Sequence, residues 1–134
     1  GRVTPQVEQA VSGCDLLVCE TNYDPEWLAS GPYPYYLKRR IMGDRGHLSN
    51  EMGALLALRA AQSGTRHIRL AHLSAENNPP ARALETVRRT LAAGGFCPGE
   101  DLTLAVAPRS EAGTPVCLDR TVRAGFSLRE AALC

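Results

Sequence analysis

The sequence has little net charge and lacks any long apolar run. The net charge of its 134 residues is +1, so there is no global electrostatic attraction to nucleic acid or to a membrane, although a local basic patch is not excluded. No apolar stretch approaches the roughly 18–20 residues of a transmembrane helix, and the N-terminus lacks the pattern of a signal peptide. We therefore expect a globular domain without membrane attachment, of ordinary single-domain size.

Paired cysteine motifs are also missing. Five cysteines occur, an odd number, and no two of them form a C-x-x-C pair. This is neither a disulfide framework nor a zinc-ribbon pattern. Cys14 and Cys19 flank or lie in an apolar run, where a cysteine usually behaves as a small buried hydrophobe. A reducing cytoplasm is the simplest compartment for such a chain.

The chain begins with Gly1 instead of methionine, and a helix start signal, Thr4-Pro5, follows at once. From this we expect a trimmed chain or a piece of a longer sequence.

Hydrophobic patterning predicts strands that alternate with helices. This order is typical of a layered α/β architecture with crossover connections. Beyond Pro108 only a short helix over 128–133 is suggested. The predicted strands cover 16–19, 67–73 and 102–106, and the helix starts are at Thr4-Pro5, Asp24-Pro25, 36–41, Ser49 and Asn78-Pro79.

Polar residues follow two of these strands, where ligands gather in open α/β sheets. Glu20 comes directly after four apolar residues, so it needs a hydrogen-bonding or cationic partner if buried. The alternative is a solvated carboxylate at a strand end. His72 ends the next strand and is well placed to ligate a metal. The alternative is a half-buried histidine bonded to a backbone carbonyl.

Two further histidines have different settings. His47 precedes Ser49 at a predicted helix start, where free N–H groups favour a phosphate, and its alternative is an ordinary loop histidine. His67 begins its strand and faces the far end, so we interpret it as structural or exposed.

A basic segment lies upstream of His47. Tyrosines are interleaved there with Lys38, Arg39 and Arg40, a combination that could stack on and neutralise nucleic acid. A solvated helix face with tyrosines packed beneath it explains the same pattern equally well.

Three motifs occur in a fixed order along the chain: Cys19-Glu20-Thr21-Asn22, Gly46-His47-Leu48-Ser49-Asn50 and Leu70-Ala71-His72-Leu73-Ser74. Together with Lys38–Ile41 and Ala75–Asn78, they resemble the C-terminal half of the metallo-β-lactamase superfamily. The branch that they resemble holds tRNA 3′-processing endonucleases and the bacterial WalJ/YycJ-type hydrolases. The resemblance implies the C-terminal half of an αββα sandwich over residues 1–107, with 108–134 an unassigned tail.

The resemblance also implies roles for individual residues. His72 would be a metal ligand. His47 would act near the scissile phosphate as proton donor or phosphate contact, and Glu20 would hydrogen-bond and orient it, forming a catalytic pair. A neighbouring carboxylate favours the charged form of a histidine, which suits a general acid. Weaker candidates for substrate contacts are Ser49, Ser74, Asn77, Arg39 and Arg40.

The sequence departs from the family by lacking its His-x-His-x-Asp-His cluster, a further histidine ligand and the bridging aspartate. These lie N-terminal in the family, and Gly1 resembles the glycine of the Asp-Thr-Gly turn that carries the aspartate. We therefore expect a two-metal hydrolase, with zinc or manganese, that acts on nucleic acid and is inactive as this fragment.

Two other functions stay open at this point. The same fold could hydrolyse a thioester or a small phosphodiester, because a fold alone does not select a chemistry. The chain could instead be a non-catalytic α/β binding module. If it is half of a sandwich, we expect an exposed apolar sheet face that the missing N-terminal half would cover, and aggregation or a homodimer in isolation.

Overall fold

The computed structural model of the protein describes residues 1–118. Helices and strands alternate along this part of the chain, as the hydrophobic pattern predicts. The elements are α1 (Pro5–Val11), β1 (Leu16–Glu20), α2 (Pro25–Ser30), α3 (Tyr35–Met42), α4 (Asn50–Gln62), β2 (His67–Ala71), α5 (Pro80–Ala93) and β3 (Thr103–Val106).

The three strands form one parallel sheet in the order β1-β2-β3. Strand β2 lies in the middle, and Glu20 at the end of β1 is in register with Ala71 at the end of β2. Each connection carries helices, so all three strands point the same way and their carboxyl ends meet at one edge. The mixed α/β architecture agrees with the partial metallo-β-lactamase fold that the motifs imply.

Strand β2 ends two residues earlier than the sequence predicts. The strand was expected to reach residue 73, but His72 has a φ of 59°, which is incompatible with extended backbone. The other bounds differ by one or two residues: α5 begins at Pro80 and β3 at Thr103. The suggested helix over 128–133 lies outside the described residues.

Helix starts follow the predicted caps. The side chains of Thr4, Asp24 and Ser49 each accept a hydrogen bond from a backbone N–H in the first turn of α1, α2 and α4. These bonds satisfy N–H groups that have no partner within the helix. The cap at Ser49, two residues after His47, fixes where α4 begins.

One face of the sheet carries the hydrophobic core. The inward residues of β1 and β2 are Leu17, Cys19, Ile68 and Leu70, and α4 and α5 pack over them. Alanines at 54, 57, 60 and 61 are fully buried and let α4 approach the sheet closely. Burial, followed by the nearby Glu20 charge, raises the pKa of Cys19 to about 12. This agrees with its interpretation as a buried hydrophobe.

No described element covers the opposite face of the sheet. Val18 lies on it and is 61% exposed, although a valine in a strand interior is normally buried. Its neighbour on β2 is Arg69, so the face is mixed in character and not uniformly apolar. Among residues 1–118, no helix is long and apolar enough to cross a membrane.

Candidate active site

Parallel pairing places Glu20 and His72 at the same edge of the sheet. Glu20 is the last residue of β1, and its partner Ala71 directly precedes His72. The backbone bond from the N–H of Thr21 to the carbonyl of Ala71 (3.1 Å) extends the pairing by one step. The two strand-end clusters that the sequence singles out are therefore brought together.

His47 reaches the same place from the loop between α3 and α4. Its N–H donates to the carbonyl of Ile41 (2.9 Å), which turns the chain tightly back after α3. A β-carbon at Gly46 would lie 2.0 Å from that same carbonyl oxygen. Only glycine fits there, so Gly46 is required for the turn that delivers His47 to the strand ends.

The carboxylate of Glu20 is the centre of the cluster. Its Oε1 lies 2.8 Å from His47 Nδ1 and 2.6 Å from His72 Nδ1, and its Oε2 accepts from the N–H of Leu48 (3.0 Å). Partial burial tends to raise the pKa of Glu20. The hydrogen bonds from Leu48, His72 and His47 outweigh this effect, and the net result is a lowered pKa. Glu20 is therefore ionised near neutral pH.

An ionised carboxylate has no proton to donate. Both histidines must therefore donate to Glu20 from Nδ1, which fixes the tautomer of each ring. The Nε2 atoms of His47 and His72 are left to bind a metal or to transfer a proton. The two rings lie edge to face with centroids 5.0 Å apart, so both imidazoles belong to one small site.

Asn22 holds the loop of His72 in place. Its side-chain N–H donates to the carbonyl of His72 (2.6 Å), and its own carbonyl accepts from the N–H of Ser74 (2.8 Å). The positive φ of His72 is costly for a residue with a β-carbon, about 1–3 kcal/mol. Sequence reasoning gave Asn22 no role, although its place directly after Glu20-Thr21 was a usable signal.

A buried pair of asparagine side chains holds together the segments that form the site. Asn50 and Asn78 exchange hydrogen bonds of 2.8 and 2.9 Å, and Asn78 also donates to the carbonyl of Thr21 (2.7 Å). Both side chains are almost completely buried. The pair joins the start of α4 and the loop before α5 to the end of β1. Sequence reasoning quoted both residues but did not pair them.

Gly53 determines how closely α4 passes the end of β1. A β-carbon at this position would lie 2.5 Å from the carbonyl oxygen of Glu20 and 2.6 Å from Cγ2 of Thr21. No larger side chain fits without moving the strand that carries Glu20. The sequence contains no pattern that identifies this requirement.

The predicted substrate-contact residues lie in three different settings. Ser74 borders the site in the loop after His72. Ser49 is 6% exposed and its hydroxyl caps α4, while Asn77 is 1% exposed. Arg39 and Arg40 are exposed on α3, where Arg39 lies over the ring of Tyr35. His67 lies at the opposite end of β2, bonded to Thr103 (2.9 Å).

The site has a donor set that fits a divalent metal. Among residues 1–118, Glu20, His47 and His72 form the one group of three such side chains whose ligand atoms lie close enough, within 4.8 Å, to hold an ion. Imidazole and carboxylate suit zinc and also manganese. His72 is the most exposed of the three, and its Nε2 is available. Because Glu20 Oε1 is already bonded to Nδ1 of both rings, Glu20 is not a free ligand in this arrangement. A catalytic zinc usually has three protein ligands, so an ion on His72 would need further ones.

Comparison with known proteins identifies two kinds of relative. The chain is 40% identical over 100 residues to the exodeoxyribonuclease YycJ of Bacillus anthracis, an alignment that covers 75% of this chain and 38% of that protein. It is 41% identical over 101 residues to the exodeoxyribonuclease WalJ of Streptococcus pneumoniae, with the same coverage. The chain is a relative of YycJ and WalJ. This confirms the resemblance inferred from the three motifs.

The chain spans only 38% of the length of these curated relatives. No family model matches it, and no solved structure matches it. The relationship to YycJ and WalJ therefore rests on the sequence matches and on the partial fold around Glu20, His47 and His72.

Proposed function

We propose that this chain supplies part of the active site of a metal-dependent phosphodiesterase that degrades DNA. The observation that carries the proposal is the single oxygen of Glu20 that accepts from both His47 and His72. One carboxylate thereby orients a potential proton donor and a potential metal ligand at the same strand edge. The relatives named exodeoxyribonucleases support nucleic acid as the substrate.

In the proposed mechanism His47 is the general acid. Its Nδ1–H is bonded to Glu20, so a proton on Nε2 points away from the carboxylate and toward the substrate. As a water oxygen bonds to phosphorus and the P–O bond to the leaving group breaks, this proton passes to the leaving oxygen, which avoids a free alkoxide. A positioned acid of this kind contributes about 10²–10⁴-fold to the rate. Glu20 acts through His47 and is a positioning residue.

His72 is the proposed metal ligand, through Nε2. Its Nδ1–H donates to a carboxylate, the usual arrangement for a metal-bound histidine. Zinc or manganese at this site would lower the pKa of a bound water and neutralise charge on the phosphate. The further ligands of two metals are expected from residues outside this chain, so the chain alone is expected to be inactive.

The substrate contacts belong to the same proposal. Ser74, Arg39 and Arg40 are the proposed contacts to the phosphate backbone, and the exposure of both guanidinium groups on α3 supports this role for the two arginines. Ser49 and Asn77 are buried in the wall of the site, so a direct contact would require the wall to open. A cytoplasmic location also remains part of the proposal.

The complete gene product, loaded with zinc or manganese, provides the test. We would measure cleavage of single-stranded and duplex DNA and bound metal for the wild type, His47→Ala and His72→Ala. His47→Ala should lower kcat by two to four orders of magnitude with metal retained. His72→Ala should lower both kcat and the amount of bound metal.

The matched control is His67→Ala. His67 is the remaining histidine of the chain and lies at the far end of β2. Its loss should leave both cleavage and metal content unchanged. Full activity in His47→Ala and His72→Ala would show that these two histidines are structural. Hydrolysis of thioesters, but not DNA, by the wild type would overturn the substrate assignment.

A further inference from the structure

A cleft opens directly beside His72. It has a volume of about 840 Å³ and lies between the loops that follow β2 and β3 and the start of α5. The N–H of Ala107 donates to the carbonyl of Leu70 (2.8 Å), so the chain after β3 continues alongside the last residues of β2. The volume is within the range of sites for small ligands, roughly 300–1,000 Å³.

The lining of this cleft is positively charged and contains no carboxylate. Arg109 is its one permanently charged side chain, and His72 lies at its boundary with the active site. Among residues 1–118, Arg109 has no acidic partner within salt-bridge distance. Its Nη2 donates to the carbonyl of Leu73 (2.9 Å), which fixes the guanidinium near the loop of His72. A guanidinium has five N–H donors, so most of them remain available.

Ser74 adds a neutral donor on the same side. Its Oγ accepts from the backbone N–H and the side-chain N–H of Asn77 (3.2 and 3.4 Å). These bonds use the lone pairs of the hydroxyl and leave its proton to donate to a ligand. Arg109 and Ser74 therefore present donors, and a ligand that accepts from both must carry several acceptor oxygens.

We propose that Arg109 and Ser74 form a subsite for a second phosphate of the DNA strand, next to the phosphate that is cleaved. The inference rests on the proposed function. A DNA strand presents one phosphate per nucleotide, so a strand with one phosphate at His47 and His72 places its neighbour in an adjoining cleft. Arginine binds phosphate through two parallel N–H bonds, which gives geometry as well as charge.

The test uses the complete gene product and two substrates. A single-stranded oligonucleotide has many phosphates, whereas bis(p-nitrophenyl) phosphate has only the one that is cleaved. Arg109→Ala should raise KM for the oligonucleotide about tenfold and leave kcat within about threefold. It should leave kinetics on bis(p-nitrophenyl) phosphate unchanged. Arg109→Lys should give a KM for the oligonucleotide between those of the wild type and Arg109→Ala.

Binding is measured separately by fluorescence anisotropy, so that the subsite can be tested without cleavage. Arg109→Ala should weaken oligonucleotide binding about tenfold and reduce the slope of log Kd against log salt by about 0.7, as for one lost phosphate contact. The matched control is Arg88→Ala, which removes one exposed positive charge from α5, away from the cleft. Arg88→Ala should leave both the Kd for the oligonucleotide and the slope of log Kd against log salt nearly unchanged.

The results separate the two proposals. If the wild type cleaves DNA but Arg109→Ala behaves like Arg88→Ala in KM and in binding, the subsite is wrong and the nuclease proposal stands. If the wild type cleaves neither substrate, the nuclease proposal fails, and the subsite fails with it because no cleaved phosphate lies beside it; selective weakening of binding by Arg109→Ala would then show only that Arg109 contacts a phosphate of DNA. An equal loss on both substrates would place Arg109 at the reacting phosphate and overturn the subsite.

Discussion

Replacing Glu20 by glutamine should damage two functions at once. Oε1 of Glu20 accepts from His47 and His72 at 2.8 and 2.6 Å, and Oε2 accepts from the N–H of Leu48 at 3.0 Å. A glutamine has one oxygen and one NH₂ group in place of these two oxygens. In one orientation the NH₂ group of the glutamine faces the Nδ1–H groups of His47 and His72, and in the other it faces the N–H of Leu48. Either the tautomers of the two rings or the position of the loop must then change.

The expected magnitude follows from the two groups that lose their acceptor. Misorientation of the proton donor should lower kcat by about 10²–10⁴-fold, or about 2.7–5.4 kcal/mol of barrier. Loss of the acceptor behind a metal-bound histidine typically weakens metal binding about 10–100-fold. Glu20→Gln should therefore show both effects, whereas His47→Ala should show only the first.

The assay is DNA cleavage by the complete gene product across a series of metal concentrations, with metal affinity measured by competition with a chelator. Excess metal should restore occupancy in Glu20→Gln but not the lost kcat. Glu76→Gln is the control, because Glu76 is an exposed carboxylate on the loop after β2. If Glu20→Gln stays within threefold of the wild type in both measurements, the shared oxygen does not organise the site.

Three other predictions concern the scaffold. Asn78→Ala leaves buried polar groups without partners, so the free energy of unfolding in urea should fall by about 2 kcal/mol or more. The double variant with Asn50→Ala should cost less than the sum of the single changes, and strict additivity would contradict the pairing. Gly53→Ala should lower stability by about 1–3 kcal/mol because of its contacts with the end of β1, instead of giving the usual gain of alanine in a helix. An unchanged melting temperature would refute that clash. Because the pKa of Cys19 is about 12, roughly one thiol in ten thousand is ionised at pH 8. Iodoacetamide should alkylate the exposed Cys117 and spare Cys19 until the protein unfolds or the pH approaches 12, and equal labelling at pH 8 would contradict its burial.

The sequence was most informative about regular elements. Continuous or alternating apolar runs predicted all three strands, and side-chain caps at Thr4, Asp24 and Ser49 predicted helix starts to within a residue. The strand end at Ala71 was missed, because the preference of His72 for strand or turn is settled by a contact 50 residues away, from Asn22. Local pattern contains no information about such a contact.

The site was predictable in part. The three motifs and the parallel order of the strands were enough to expect Glu20, His47 and His72 near one edge. The sharing of one oxygen by both rings was not predictable, because it depends on side-chain positions within a few tenths of an ångström. Arg109 was missed because it lies beyond the last motif, and only the continued pairing at Ala107 brings it back to the site.

The left-handed backbone of His72 also makes this position a marker of whether the proposed active site is still in use. Glycine and asparagine adopt a φ near 59° at lower cost than histidine, so the fold alone would favour either of them. Only the need for an imidazole would keep histidine, and not glycine or asparagine, at this position. In gene copies that retain the fold but no longer require the chemistry, His72 should be among the first residues replaced. The buried Asn50 and Asn78 should persist for as long as the domain folds.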